Sequence, residues 1–184
     1  EKIMQIISRL SSKLKNKKRK FAPRIITDSK VNAFALPGGY IYLTSGLLEC
    51  TQQVEEELAF VLAHEMGHIV HQDPMQRVVT DAAIEAALKL LARRGPGAWL
   101  GSLGAKVIQS AYSQERELAA DEFAVRLMRA AGYPPEASLR LIQRLASKAK
   151  EDPSALDFLK PYFSTHPPLQ MRSKEIRRVL YSGS

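Results

Sequence analysis

A mostly helical α+β fold in one domain is predicted by three features of the sequence. Strand-like pieces occupy only a short block between residues 24 and 44, the segments after Ser45 have helical spacing, and Pro and Gly clusters fall where elements should end. The length agrees, because 184 residues make one domain of ordinary size, and a chain of this size buries about 70% of its unfolded surface. It therefore needs no covalent staples. The single cysteine, Cys50, excludes a disulfide framework or a Cys-rich metal module and reads as a core residue at the end of a short helix. With 45% hydrophobic and 25% charged residues, a disordered or collagen-like chain is excluded as well.

Taken in order, residues 1–14 place Ile3, Ile6, Ile7 and Leu10 on one side of a helix. Three short strands follow at 24–27, 32–36 and 40–44, the last alternating in polarity after the turn signal Pro37-Gly38-Gly39. Together they are expected to form a small three-stranded antiparallel sheet. Residues 53–71 read as a long helix, with acidic side chains in the first turns that suit the helix dipole and a stop before Asp73-Pro74. Further helices are expected at 76–93, ending at Gly95-Pro96-Gly97, at 104–131, ending at Gly132, and at 136–149, 154–160 and 168–180. The organisation is a helix and basic arm over 1–23, followed by the domain that carries the chemistry over 24–184. The chain opens on Glu1 rather than Met, so a signal peptide or lipid anchor is expected to have been trimmed. No run approaches the roughly 20 apolar residues of a spanning helix, and the chain is expected to be soluble.

The net charge of +8 is local. Lys13, Lys15, Lys17, Lys18, Arg19, Lys20 and Arg24 account for all but one unit of it, with no acidic residue between them. Such a run reads first as a solvated flank and second as a surface for anionic lipid headgroups. It has no interleaved aromatics for base stacking, so nucleic acid is not expected as a partner.

The chemistry centres on His64-Glu65-Met66-Gly67-His68, inside the 53–71 helix. Positions i and i+4 share a helix face about 6 Å apart along the axis, so two imidazoles can converge on one ion. Glu65, from the neighbouring position, can take a proton from an attacking water as general base. Two histidines completed by a carboxylate suit zinc, and an open fourth position suits hydrolysis. Composition gives roughly 0.006 chance matches to H-E-x-x-H per chain, which makes the pattern fairly specific. The metzincin pattern is absent, since His71 and Pro74 stand where it needs glycine and histidine. A glutamate from a later helix is the remaining choice. In Ser113-Gln114-Glu115-Arg116-Glu117-Leu118-Ala119-Ala120-Asp121, Glu117 and Asp121 share a face, and two alanines allow close helix approach. Glu117 can ligate, and Asp121 can orient a ligating histidine. Glu115, Glu122 and His71 are competing donors.

These motifs, with Asn32-Ala33-Phe34-Ala35-Leu36-Pro37-Gly38-Gly39 and Ser164-Thr165-His166-Pro167-Pro168, occur in one order that resembles the gluzincin metallopeptidases typified by HtpX and the CAAX prenyl proteases. The likeness spans about residues 24–180 and is closer to the soluble cell-envelope members, since the membrane-spanning segments of HtpX have no counterpart. It implies a zincin-like active-site helix, zinc ligands at His64, His68 and Glu117, and a catalytic base at Glu65. It also implies that His166 lies near the metal, either stabilising the oxyanion or capping zinc as a fourth ligand, and that Arg172 lies near the site. Asn32, Ala33 and Phe34, with Gly39, Tyr40 and Ile41 of the 39–44 strand, are implied to be the substrate-binding edge.

From the residues alone, a histidine before two prolines is presented on a stiff, extended segment, suited to aiming a side chain or to capping the next helix. Amide hydrolysis needs a donor for the developing oxyanion, and an edge strand can pair with an extended peptide by backbone bonds. The tract 98–108, with Trp99, reads as core packing or as a membrane-facing or active-site rim. The resulting expectation is an enzyme binding one Zn²⁺, an endopeptidase for unfolded, misfolded or unassembled proteins. Its setting is the bacterial cell envelope, periplasmic or peripherally membrane-attached, with the basic arm and residues 98–108 facing a membrane surface. A zinc-bearing, chaperone-like binding module with a capped, inactive site is the competing class.

Overall fold

The computed structural model describes residues 1–36, 38–71, 114–151, 155–166 and 169–182. Its elements run α1 (Lys2–Ser11), β1 (Ala22–Ile26), β2 (Ala33–Leu36), β3 (Tyr40–Thr44), α2 (Ser45–Cys50), α3 (Glu55–His71), α4 (Gln114–Ala130), α5 (Ala137–Glu151), α6 (Ala155–Thr165) and α7 (Leu169–Tyr181). The mostly helical α+β class is as the sequence indicates. The helix expected at 76–93, the break at 95–97, residues 104–113 of the next helix and the 98–108 tract lie outside the described residues.

The sheet differs from expectation. It is mixed rather than antiparallel: the order is β1-β3-β2, with β1 parallel to β3 and β2 antiparallel to it. The chain reverses between β1 and β2, but those two do not pair. The tight turn after β2 folds β3 into the gap between them, and two reversals leave β3 running the same way as β1. The 27–32 connection is pinned where it crosses: the Gly46 amide donates to the Asp28 carbonyl at 2.8 Å, and Ser45 Oγ donates to the same oxygen at 2.9 Å. A Cβ on Gly46 would lie 2.0 Å from the Ser29 carbonyl oxygen, so only glycine fits there.

Helix α3 is the axis of the fold. Every residue from Glu57 to Ile69 is buried, more than an amphipathic surface helix would hide. Around it pack α1, β2, α4 and α5. Helix α1 contributes its expected stripe of Ile6, Ile7 and Leu10. Arg9 then clasps the end of α4, donating to the Ala131 and Gly132 carbonyls at 2.8 and 3.0 Å with its guanidinium 4.1 Å from the Tyr133 ring centre. The buried Glu57 is satisfied by two 3.0 Å bonds from Arg144 on α5.

Two features bring α3 and its neighbours close enough to build a site. A Cβ on Gly67 would sit 3.2 Å from Ala120 Cα and 3.1 Å from Phe123 Cδ1, so the glycine sets the α3–α4 separation. Helix α6 continues through Pro161 to Thr165 rather than stopping at 160. The proline lacks one backbone donor, yet the His166 amide still reaches the Tyr162 carbonyl at 2.9 Å. His166 therefore leaves the end of a helix, rather than an extended strand-like segment.

Candidate metal centre

Helix α3 supplies His64, Glu65 and His68, α4 supplies Glu117 and Asp121, the end of α6 supplies His166, and α7 supplies Arg172; all seven are buried. One donor atom each from His64, His68, Glu117 and His166 can be chosen so that all four lie within 4.8 Å of one another. His64 Nε2 is 3.0 Å from His68 Nε2 and 3.3 Å from Glu117 Oε2, while His68 Nε2 is 2.9 Å from Glu117 Oε1. A tetrahedral ion with bonds of about 2.0–2.1 Å sets its donor atoms about 3.3 Å apart, so the spacing fits zinc.

The chemistry of the donors agrees. Asp121 Oδ1 accepts from His64 Nδ1 at 2.9 Å, which fixes a proton on that nitrogen and turns Nε2 toward His68 and Glu117. Asp121 is itself held by Arg172, whose Nη2 and Nε donate to its two oxygens at 2.6 and 2.8 Å. Arg172 Nη1 donates to the Tyr162 hydroxyl at 2.6 Å. Once His64 gives up its second proton, two imidazoles and a carboxylate face one another in a dry space, an arrangement that suits a cation between them.

The electrostatics show what a metal has to displace. Burial and the Arg172 guanidinium oppose a charge on His64, but Glu117 and Asp121 outweigh them and raise its imidazole to about 9. Burial opposes the Glu117 carboxylate too, yet the imidazoles of His166 and His64 hold it far below the usual range. His68 is pushed down, chiefly by burial. A metal entering below about pH 9 must therefore displace a proton. Metal uptake at neutral pH is expected to release close to one proton per chain, with affinity falling about tenfold per pH unit. Titration calorimetry in two buffers of different ionisation heat would check this; heats independent of buffer would refute it.

Glu65 lies beside the donors without joining them. Its Oε1 is 3.8 Å from His166 Nε2, and its buried Oε2 has no hydrogen-bond partner among the described residues. His166 Nδ1 meets Glu117 Oε2 at 2.8 Å, and its Nε2 lies 3.4 Å from the Ala33 carbonyl oxygen on β2. The competing donors are elsewhere: Glu115 is exposed, Glu122 pairs with Arg126 and Arg178, and His71 packs edge-on against Phe123.

The substrate edge expected at Asn32–Phe34 and 39–44 is redistributed by the strand order. β3 is bonded on both sides, which places Tyr40 and Ile41 on the inner strand and Gly39 in the turn before it. The edge next to His166 is β2. Asn32 turns its backbone to β3, accepting from the Thr44 amide at 3.1 Å, so alternation turns the backbone groups of Ala33 and Ala35 outward. Phe34 is buried and stacks on Tyr42 at 5.1 Å. Tyr162 was not singled out by the sequence. Its ring centre is 4.6 Å from that of His166, and burial pushes its phenol up to about 12, keeping it neutral beside Arg172. The i, i+4 spacing of Tyr162 and His166 is the one signal that could have marked it.

A family model described as Peptidase family M48 matches residues 1–180. Among curated relatives, the beta-barrel assembly-enhancing protease of Escherichia coli is 28% identical over 182 residues, covering 92% of this chain and 36% of the relative. Metalloprotease LoiP of the same species is 29% identical over 154 residues, covering 80% and 58%. Metalloprotease YcaL, also of that species, is 26% identical over 166 residues, covering 87% and 62%. The chain thus spans between roughly a third and three fifths of the length of these three relatives.

Proposed function

The chain belongs to peptidase family M48, and on that premise we propose that it is a zinc-dependent endopeptidase acting on unfolded, misfolded or unassembled proteins of a bacterial cell envelope. The observation that carries the proposal is the four-donor group with Glu65 beside it, whose buried Oε2 has no hydrogen-bond partner among the described residues. His64, His68 and Glu117 would hold one zinc ion, which when bound polarises the scissile carbonyl and lowers the pKa of the attacking water. Glu65 takes the proton of that water at Oε2 and passes it to the leaving amine. Asp121, tied down by Arg172, keeps the His64 ring in one orientation and tautomer through both steps. The outward backbone groups of Ala33 and Ala35 pair with an extended substrate, with Asn32 and Phe34 holding β2 against Thr44 and Tyr42 of β3. Backbone pairing of this kind favours unfolded segments over particular side chains.

The envelope setting is supported by a relative named for beta-barrel assembly, and no described helix is long and apolar enough to cross a membrane. A membrane surface is proposed as the partner of the basic arm. Digestion of one protein in folded and permanently unfolded forms tests the substrate class: internal cleavage of the unfolded form alone supports it, and equal cleavage of both opposes it.

A second reading has its own support. His166 belongs to the donor group, so it can complete a four-coordinate ion and hold the enzyme at rest. His166→Ala is then expected to raise basal cleavage. A loss of roughly 10²–10³-fold would instead assign His166 to the oxyanion, and a parent that binds unfolded protein without ever cleaving it would be a binding module.

A further inference from the structure

We propose that residues 13–20, folded against the C-terminal ends of α3 and α4, form a site for one anionic phospholipid, with its acyl chain in an apolar pocket and its phosphate headgroup in the basic pocket beside it. The site is separate from the metal centre and stands whether or not that centre cleaves peptides.

The arm is built into the fold. Arg19 Nη1 donates to the Ile69 carbonyl at 2.8 Å, in the last turn of α3, where helical carbonyls lack helical partners. Lys17 Nζ donates to the Ser12 carbonyl, and the Lys18 amide donates to Asn16 Oδ1 at 3.0 Å. Leu14 is buried beneath, in the main core.

Two pockets open along this segment. One, of about 390 Å³, has Leu14, Val70, Phe123 and Leu127 as its floor and Lys13 and Lys15 on its rim. The other, of about 310 Å³, sets Lys18 and Lys20 against the Gly38-Gly39 turn. Asn16 and Arg19 line both, so the two pockets adjoin. Each alone reaches the size of small-molecule sites, about 300–1,000 Å³. No acidic side chain is among the described residues lining either pocket. Arg126 on the apolar rim pairs with Glu122 at 2.7 Å, and the lysines carry the rest of the positive charge.

An apolar trough leading into a group of cations is complementary to a molecule with a hydrocarbon chain and an anionic head. A neutral lipid would satisfy only the trough, and free phosphate only the basic half. Basic side chains at an anionic membrane surface each add to the attraction, and an inserted chain anchors what charge alone would release in salt.

The test uses the full chain. Sedimentation with vesicles of phosphatidylcholine alone, or of equal parts phosphatidylcholine and phosphatidylglycerol, should show binding only to the second. Lys18→Gln combined with Lys20→Gln is expected to lower that partitioning roughly 30-fold. Ala130→Trp changes no charge; Ala130 is exposed and lines the apolar pocket. It should weaken binding at least as clearly, which a diffuse electrostatic surface would not. Should Ala130→Trp fail to fold, calorimetry on the unaltered chain decides: dihexanoylphosphatidylglycerol below its micelle concentration should bind more tightly than glycerol 3-phosphate or hexanoate. Equal binding to both vesicle types overturns the proposal. So does unchanged binding by folded Ala130→Trp, glycerol phosphate matching the lipid, or an acidic peptide displacing it.

Discussion

Glu65→Gln is expected to lower cleavage of an unfolded protein by at least about 10²–10⁴-fold, the share a positioned general base contributes, while zinc content stays at one per chain. The side chain keeps its size, so the packing of α3 is undisturbed. What changes is the atom that accepts the proton: Oε2 is buried and has no hydrogen-bond partner among the described residues, and the amide that replaces it is not basic. Because Glu65 is outside the donor group, metal affinity should barely move. Initial rates at equal zinc occupancy are the measurement. A variant within a few-fold of the parent would remove Glu65 from the chemistry.

Arg172→Met is expected to cost about 3–5 kcal/mol of folding stability, the penalty for stripping the partner from a buried charge. Arg172 is completely buried; it donates twice to Asp121 and once to Tyr162, and its Nη2 also lies 3.3 Å from His64 Nδ1. Burial alone would raise the Asp121 carboxyl, but the guanidinium outweighs it and holds it low. The sign for pH follows. A carboxylate lowered in the folded state contributes its stability above its unfolded value of about 3.9 and loses it as pH falls through the folded value. The variant should therefore be destabilised at neutral pH and approach the parent in acid. Lysine should rescue little, since it cannot make the two-pronged bond. Zinc affinity should also fall, about 10–100-fold, because Asp121 no longer aims His64. Urea denaturation across pH with metal removed checks the first effect; a neutral-pH loss below about 1 kcal/mol would contradict it.

How far the sequence could be read depended on whether spacing or tertiary approach decided each feature. His64, Glu65 and His68 were legible because a helix turns i and i+4 to one side regardless of what packs around it. Glu117 and Asp121 were legible through the same spacing, yet their meeting with α3 depended on Gly67 and Ala120, whose close contact is a tertiary fact. The strand order is not legible, because local pattern identifies strands but not their lateral order; β3 enters between β1 and β2 through the pinned 27–32 crossing. The end of α6 is not legible either, because a proline usually stops a helix, whereas here the helix runs past Pro161 to Thr165, with Tyr162 bonded by Arg172. Tyr162 was missed for a related reason, since an aromatic in a helix ordinarily reads as core.

The most direct test is a zinc titration of the metal-stripped chain, with bound zinc and cleavage of an unfolded protein followed in the same samples. The account predicts that cleavage is absent without metal, rises in proportion to bound zinc and stops rising at one zinc per chain. Cleavage that persists after the metal is removed, or full occupancy by one zinc with no cleavage in either the parent or His166→Ala, would contradict it.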